Sequence, residues 1–194
     1  GMWILDISDP FHPTPISNIF FPDGFTADIL VSDTLVYLVN WVESGYYYNG
    51  RGLWVVSIID IQNPVALSHH PGITKYGTFV YHKNTIAREG NSVFLIQTKA
   101  ATFDSVMEII DVTKPDNPLT VGALVLPFSP YRIWVKDSIA YLATTDGGLR
   151  IVDCHNPSMP TEISSLLSAA GGIAVRDSLA FIAGNSADLY IYNI

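Results

Sequence analysis

One apolar hexad, closing on an acid or its amide, recurs five times along this chain. The copies are Met2-Trp3-Ile4-Leu5-Asp6-Ile7, Val56-Ser57-Ile58-Ile59-Asp60-Ile61, Met107-Glu108-Ile109-Ile110-Asp111-Val112, Leu149-Arg150-Ile151-Val152-Asp153-Cys154 and Leu189-Tyr190-Ile191-Tyr192-Asn193-Ile194. Their starts lie 54, 51, 42 and 40 residues apart. Self-similarity at such periods means an array of one supersecondary unit, each copy burying its apolar face against the next.

A second motif keeps a fixed relation to the first. An isoleucine is followed eight residues later by an aromatic: Ile29 to Tyr37, Ile86 to Phe94, Ile133 to Tyr141 and Ile173 to Phe181. A short polar turn separates them, Ser32-Asp33-Thr34 in the first case and Lys136-Asp137-Ser138 in the third. Apolar alternation around such a turn predicts a β-hairpin. The hexad supplies a third strand and runs into an Asp–Pro turn, Asp6 to Pro10, Asp60 to Pro64, Asp111 to Pro115 and Asp153 to Pro157. Asp can accept its own downstream amides and Pro presets the turn dihedral, so the hexad Asp residues read as turn formers rather than carboxylate ligands. A fourth strand follows, such as Thr161 to Leu166. Ser164 to Ala170 could make one helical turn, but the strand register fits better.

Four antiparallel strands in about 40 residues have the size of a propeller blade. The predicted fold class is therefore all-β: a β-propeller of four-stranded antiparallel blades. The sequence holds about four to five blades' worth, in units of approximately 1–28, 29–85, 86–132, 133–172 and 173–194. The Ile29-type strand is expected innermost, the Tyr37-type second, the hexad third and the Pro-initiated strand outermost. Five third strands against four of each other type leave the ring unclosed. An open blade face would expose about 320 Å² of flat, largely apolar sheet, from ~4.8 Å per strand and ~17 Å of strand length. The expectation is a fragment of a larger propeller, or an arc that self-associates or leans on missing blades. The chain opens inside a strand, with Gly1 readable as a tag remnant or as the equivalent of Gly148, so an upstream extension is expected.

The segment Leu149 to Asp153, followed by Asn156-Pro157 and Pro160, resembles the LVIVD repeat. The resemblance is strong for the last two units, fair for the first and weak for the second, which departs at Ser57. It implies a propeller fold and a place on a bacterial or archaeal cell surface, in the periplasm or outside the cell. It implies no shared catalytic residues.

Composition narrows the function classes. The net charge is −8 and Lys and Arg do not cluster, which argues against nucleic acid as a partner. No apolar run approaches the ~20 residues of a membrane-spanning helix. The single cysteine, Cys154, rules out an internal disulfide and reads as a small core residue. There is no Gly-x-Ser-x-Gly elbow, and Gly147-Gly148 is a hairpin turn rather than a phosphate loop because no helix follows. No cofactor or metal site is expected. His69 and His70, adjacent on a strand, point to opposite faces and cannot easily share one ion.

Function should sit where the repeats differ. The second-strand aromatic precedes the hexad by 19 residues in the first full unit, 13 in the second, and 8 in the last two. The extra residues are Trp41 to Arg51 and Gln97 to Ser105, and the connection His69 to Thr85 is also long. In an up-and-down blade all three emerge on one rim. Long connections in compact domains are commonly functional. Trp41, Tyr46, Tyr47, Tyr48, Arg51, Tyr76 and His82 form the candidate binding surface, since tyrosine offers amphipathic area at low entropic cost. The expected role is a binding or scaffolding module for a protein, peptide or carbohydrate ligand. The alternative is a hydrolase or lyase over the central channel, using histidine and rim acids such as Glu43, Glu89, Asp104 and Glu108.

Overall fold

The computed structural model describes residues 1–21, 25–41, 52–72, 85–98, 105–144, 147–166, 170–184 and 188–194. Among the described residues the chain is all-β, with seventeen strands in five antiparallel sheets. A two-stranded sheet pairs β1 (Met2–Asp6) with β2 (Thr14–Ile19). The first full blade runs in order through β3 (Phe25–Ser32), β4 (Leu35–Trp41), β5 (Gly52–Ser57) and β6 (Val65–His70). The second has β7 (Thr85–Glu89), β8 (Ser92–Thr98), β9 (Ser105–Asp111) and β10 (Leu119–Leu126). The third has β11 (Pro130–Lys136), β12 (Ile139–Thr144), β13 (Gly148–Asp153) and β14 (Thr161–Leu166). The last sheet holds β15 (Ala170–Arg176), β16 (Leu179–Gly184) and β17 (Leu189–Asn193). The isoleucine strands β3, β7, β11 and β15 are innermost and meet about a common axis, as the repeat predicts.

The hexads are apolar on both faces because each lies between two neighbouring sheets. In β9, Met107 and Ile109 pack towards the third blade while Ile110 packs towards the first. In β13, Leu149 faces the last sheet and Val152 the second blade. The first and third hexad positions thus face the following sheet, and the second and fourth face the preceding one. Four cores of this kind link the five sheets in a row. The row is open. Met2 and Ile4 of β1 pack on the first blade, but Trp3 and Leu5 are exposed. At the other end Tyr190 and Tyr192 of β17 pack on the third blade, but Leu189 and Ile191 are exposed.

The same rule corrects the second hexad. Leu53 and Val55 face the second blade, and Trp54 and Val56 pack with Met2 and Ile4. Val55 pairs with Tyr37 as Ile109 pairs with Phe94 and Ile151 with Tyr141. The hexad of this unit is therefore Leu53 to Ile58, three residues earlier than Val56 to Ile61. The amide of Ile58 donates to Thr34 O at 2.8 Å, as Val112 does to Asn91 and Cys154 to Ser138. Ser57 replaces the hexad Asp, and the uninterrupted apolar run from Leu53 to Val56 lets the pattern match in two registers. The true intervals are 51, 54, 42 and 40, and the first long connection is 16 residues from Tyr37 rather than 19.

Hairpin and turn chemistry follow the sequence closely. The inner hairpins turn on residues with left-handed backbone: Asp33 (φ 53°), Gly90 (φ 55°), Asp137 (φ 51°) and Asp177 (φ 53°). After the hexads, Asp6, Asp111 and Asp153 accept the amide two residues on, at 2.8, 2.8 and 2.9 Å. Asp60 makes the same bond to Gln62 at 2.9 Å, but as the equivalent of Asp9 and Asn156 one turn later. Cys154 is buried in the core between the second and third blades.

Candidate functional site

The inner strands carry the repeating isoleucine, and the residue just before it differs in every blade: Asp28, Thr85, Arg132 and Gly172. Three of these positions follow a break in strand register. The skipped residues are Ala27, Tyr131 and Gly171. Such bulges re-aim side chains and end regular pairing. Here they precede the residues that meet at the axis. Thr85 Oγ1 donates to Asp28 Oδ2 at 2.7 Å, and the Ile86 amide and Arg132 Nη1 reach the same oxygen at 3.3 Å each. The Ile29 amide donates to the other carboxylate oxygen at 3.0 Å. Strands of the first, second and third blades are thereby joined at one point.

This layer roofs a cleft of about 380 Å³ at the axis, within the ~300–1,000 Å³ range of small-molecule sites. Two residues further along each strand, on the same face, come Leu30, Ala87, Trp134 and Ala174. Trp134 and Leu30 line the cleft together with Ile86, Ile133, Val135 and Ile173. Arg88 lies at its side. Its Nη1 donates to Ser32 Oγ at 2.6 Å and its guanidinium lies 5.5 Å from the Tyr37 ring centroid. Burial pushes the Tyr37 phenol above its ordinary range, partly offset by this arginine. Among the described residues lining the cleft there is one carboxylate and two guanidinium groups.

The polar layer lies near the starts of the inner strands, which is the rim bearing the long connections. At the opposite rim the variable residues act differently. Glu89 accepts the amides of Asp137 and Ser138 at 2.6 and 2.8 Å, and Lys136 Nζ donates to Asp177 O at 2.6 Å. Each ties its blade to the hairpin turn of the next. Glu89 is thus a link between blades rather than a rim acid.

A second polar cluster joins the first and second blades away from the axis. His70 Nε2 lies 2.8 Å from Glu108 Oε1, and Thr120 Oγ1 donates to that oxygen and lies 3.2 Å from His70 Nε2. Glu108 is 1% exposed in its side chain. Threonine and glutamate meet the same ring nitrogen, and the cluster is a clasp closed on the buried Glu108 carboxylate. His69 instead stacks on Trp54, ring centroids 4.3 Å apart, which separates the two histidines as their strand positions predict. Among the described residues no group of three potential metal ligands converges.

Of the sequence-predicted surface, Trp41 closes β4 at the insertion-bearing rim. Tyr46, Tyr47, Tyr48, Arg51, Tyr76 and His82 lie outside the described residues, as do Glu43 and Asp104. Asp28, Thr85, Arg132 and Trp134 were missed by motif reading. The signal was present: aligning the inner strands on their isoleucines exposes one column that never repeats.

The sheets and the axial layer define a propeller-type repeat protein whose blades are built alike and whose axis is not. Parts of the chain are similar to the LVIVD repeat, whose family model matches residues 1–19 and 131–168. Those spans are the β1–β2 sheet and nearly the whole third blade. The displaced second hexad lies outside them. No curated protein matches the sequence. Among solved structures, the computationally designed Ika4 protein superimposes with a TM-score of 0.64 at 11% identity, covering 92% of this chain and 97% of that one. The computationally designed Ika8 protein gives 0.63 at 11% identity, covering 94% of this chain and 50% of the other. At that identity the likeness concerns fold alone. Among the described residues no helix is long and apolar enough to cross a membrane.

Proposed function

We propose that this chain is a recognition module of a surface-displayed or exported repeat protein, binding through the rim that bears its long connections. The carrying observation is the axial layer Asp28, Thr85, Arg132 and Gly172. It varies in every blade while the register around it is constant, and it lies on the rim where the connections lengthen. The polar variation at the other rim is used up in joining blades, which favours this rim as the working face. The connections holding Trp41, Tyr46, Tyr47, Tyr48, Arg51, Tyr76 and His82 would form the outer part of the surface, with a protein, peptide or carbohydrate as ligand. A hydrolytic or eliminating site at the same mouth would need a carboxylate free to take a proton. Asp28 Oδ2 already receives three donors, which favours binding over catalysis.

The test is a screen of the wild-type protein on glycan and peptide arrays. It is repeated with Arg132→Gln and with a triple Ala substitution of Tyr46, Tyr47 and Tyr48. Capture of a ligand that either change weakens by tenfold or more supports the reading. A ligand held equally by all three proteins would place the binding surface elsewhere. Fractionation of cells expressing the full gene product checks the location; a soluble intracellular protein would contradict it.

A further inference from the structure

We infer that the axial cleft is a subsite for a small amphipathic anion, a carboxylate on an apolar body, held by Arg132 over Trp134. The inference rests on the proposed recognition role of this rim and names the chemistry at its centre. Four observations carry it.

The first is charge. The chain as a whole carries −8, yet the cleft sets two guanidinium groups against one carboxylate. Low-dielectric walls focus such a local excess towards an incoming anion. The second is the state of the carboxylate. Asp28 accepts from Thr85, Ile86 and Arg132 on one oxygen and from Ile29 on the other, so it is a positioning residue for Arg132. The third is the state of the arginine. Arg132 gives Nη1 to Asp28 at a long 3.3 Å and its side chain is 57% exposed. A guanidinium has five N–H donors in a planar fork matched to a carboxylate. One of those donors goes to Asp28. The fourth is the floor. Below the polar layer the lining is Leu30, Ala87, Ile133, Ile173 and Trp134, and Trp134 is 41% exposed. Gly172 and Ala174 occupy the fourth blade's places in the two layers, so that side of the axis carries no bulk.

Arg88 supplies the second positive charge from a fixed position. Its Nη1 is bonded to Ser32, and its Nε is buried with no hydrogen-bond partner among the described residues. It adds attraction without competing for the ligand's place at Arg132. A neutral sugar would use the carboxylate as an acceptor for its hydroxyls, and that acceptor is occupied. The arrangement therefore favours an anion over a saccharide at this point.

The experiment is a calorimetric titration of the purified chain, with saturation-transfer NMR, using 3-phenylpropionate, 3-phenylpropanol and glucose as probes. 3-Phenylpropionate should bind with a Kd of about 0.1–5 mM, the range open to a fragment of that size. 3-Phenylpropanol, with the same body and no charge, should bind at least tenfold more weakly, and glucose should not bind. Arg132→Gln should lower 3-phenylpropionate affinity at least tenfold, Arg132→Lys should retain part of it, and Trp134→Ala should lower both phenyl probes alike. Arg176→Gln, at the opposite rim, should change nothing. Equal binding of the acid and the alcohol would overturn the inference with the wild-type chain alone, as would preference for glucose. So would 3-phenylpropionate affinity unmoved in a folded Arg132→Gln protein. If array ligands still depend on Tyr46 to Tyr48 in that case, the anion subsite fails alone. If they do not, the recognition role fails with it.

Discussion

At the scale of single residues, one kind of chemistry is repeated and another is not. The turn aspartates Asp6, Asp60, Asp111 and Asp153 are held below the usual carboxylate range, each chiefly by hydrogen bonds from the residue or residues just downstream. A lowered folded value favours the folded state above the unfolded-chain value near ~3.9, and that contribution is lost as pH falls through the folded value. Melting temperature by circular dichroism should accordingly be flat from about pH 7 to pH 5 and fall steeply below about pH 4. Asn at all four positions keeps the acceptor and removes the charge, so the acid slope should become shallower; an unchanged slope would refute the assignment. Burial pushes the Cys154 thiol up to about 11. Thiolate is the reacting form, so iodoacetamide at pH 8 should label the native protein at least tenfold more slowly than the urea-unfolded chain. The turn aspartates were legible in the sequence because each is followed by Pro at constant spacing. The Asp28–Arg132 contact was not, because its partners are 104 residues apart and only ring geometry brings them together.

At the scale of elements, close approach between blades sets the tolerances. A Cβ on Gly122, in the outer strand β10, would sit 1.9 Å from Pro157 O in the turn preceding β14. Gly122→Ala should cost about 1–3 kcal/mol or more in urea unfolding, since backbone rather than a movable side chain blocks it. Gly90→Asp is the opposite case. Its left-handed turn position is open, and three other blades carry Asp there, so stability should stay within about 0.5 kcal/mol. Glu108→Ala leaves a part-buried His70 and the Thr120 hydroxyl without their shared acceptor and should cost about 1–3 kcal/mol; a neutral result would mean the clasp contributes nothing. Strand order was readable from the two motifs, but the register of the second hexad was not. In Leu53-Trp54-Val55-Val56-Ser57-Ile58-Ile59 the apolar residues run on both faces, and alternation cannot choose between two frames. Pairing with Tyr37 and packing against Met2 and Ile4 choose.

At the scale of the whole molecule, the row of sheets ends on two unlike faces. Leu189 and Ile191 occupy hexad positions that elsewhere pack on a following sheet, and Trp3 and Leu5 occupy positions that elsewhere pack on a preceding one. Each face is the natural complement of the other, so contact between copies should be head-to-tail rather than two-fold. Light scattering should give a mass above 21.3 kDa that grows with concentration, and Glu at Trp3 together with Glu at Ile191 should return it to the monomer. A monomer at every concentration would count against the open arc. The open arc was foreseen from the unequal strand counts; which residues would face outward required the packing rule. The bulges have a consequence of a different kind. Because Ala27, Tyr131 and Gly171 drop out of the ladder, pairing on those inner strands resumes at the variable residues Asp28, Arg132 and Gly172. The backbone frame is the same whichever side chain stands there, but Asp28, Thr85 and Arg132 are bonded to one another across three blades. Over evolutionary time these axial residues should therefore change together rather than one at a time.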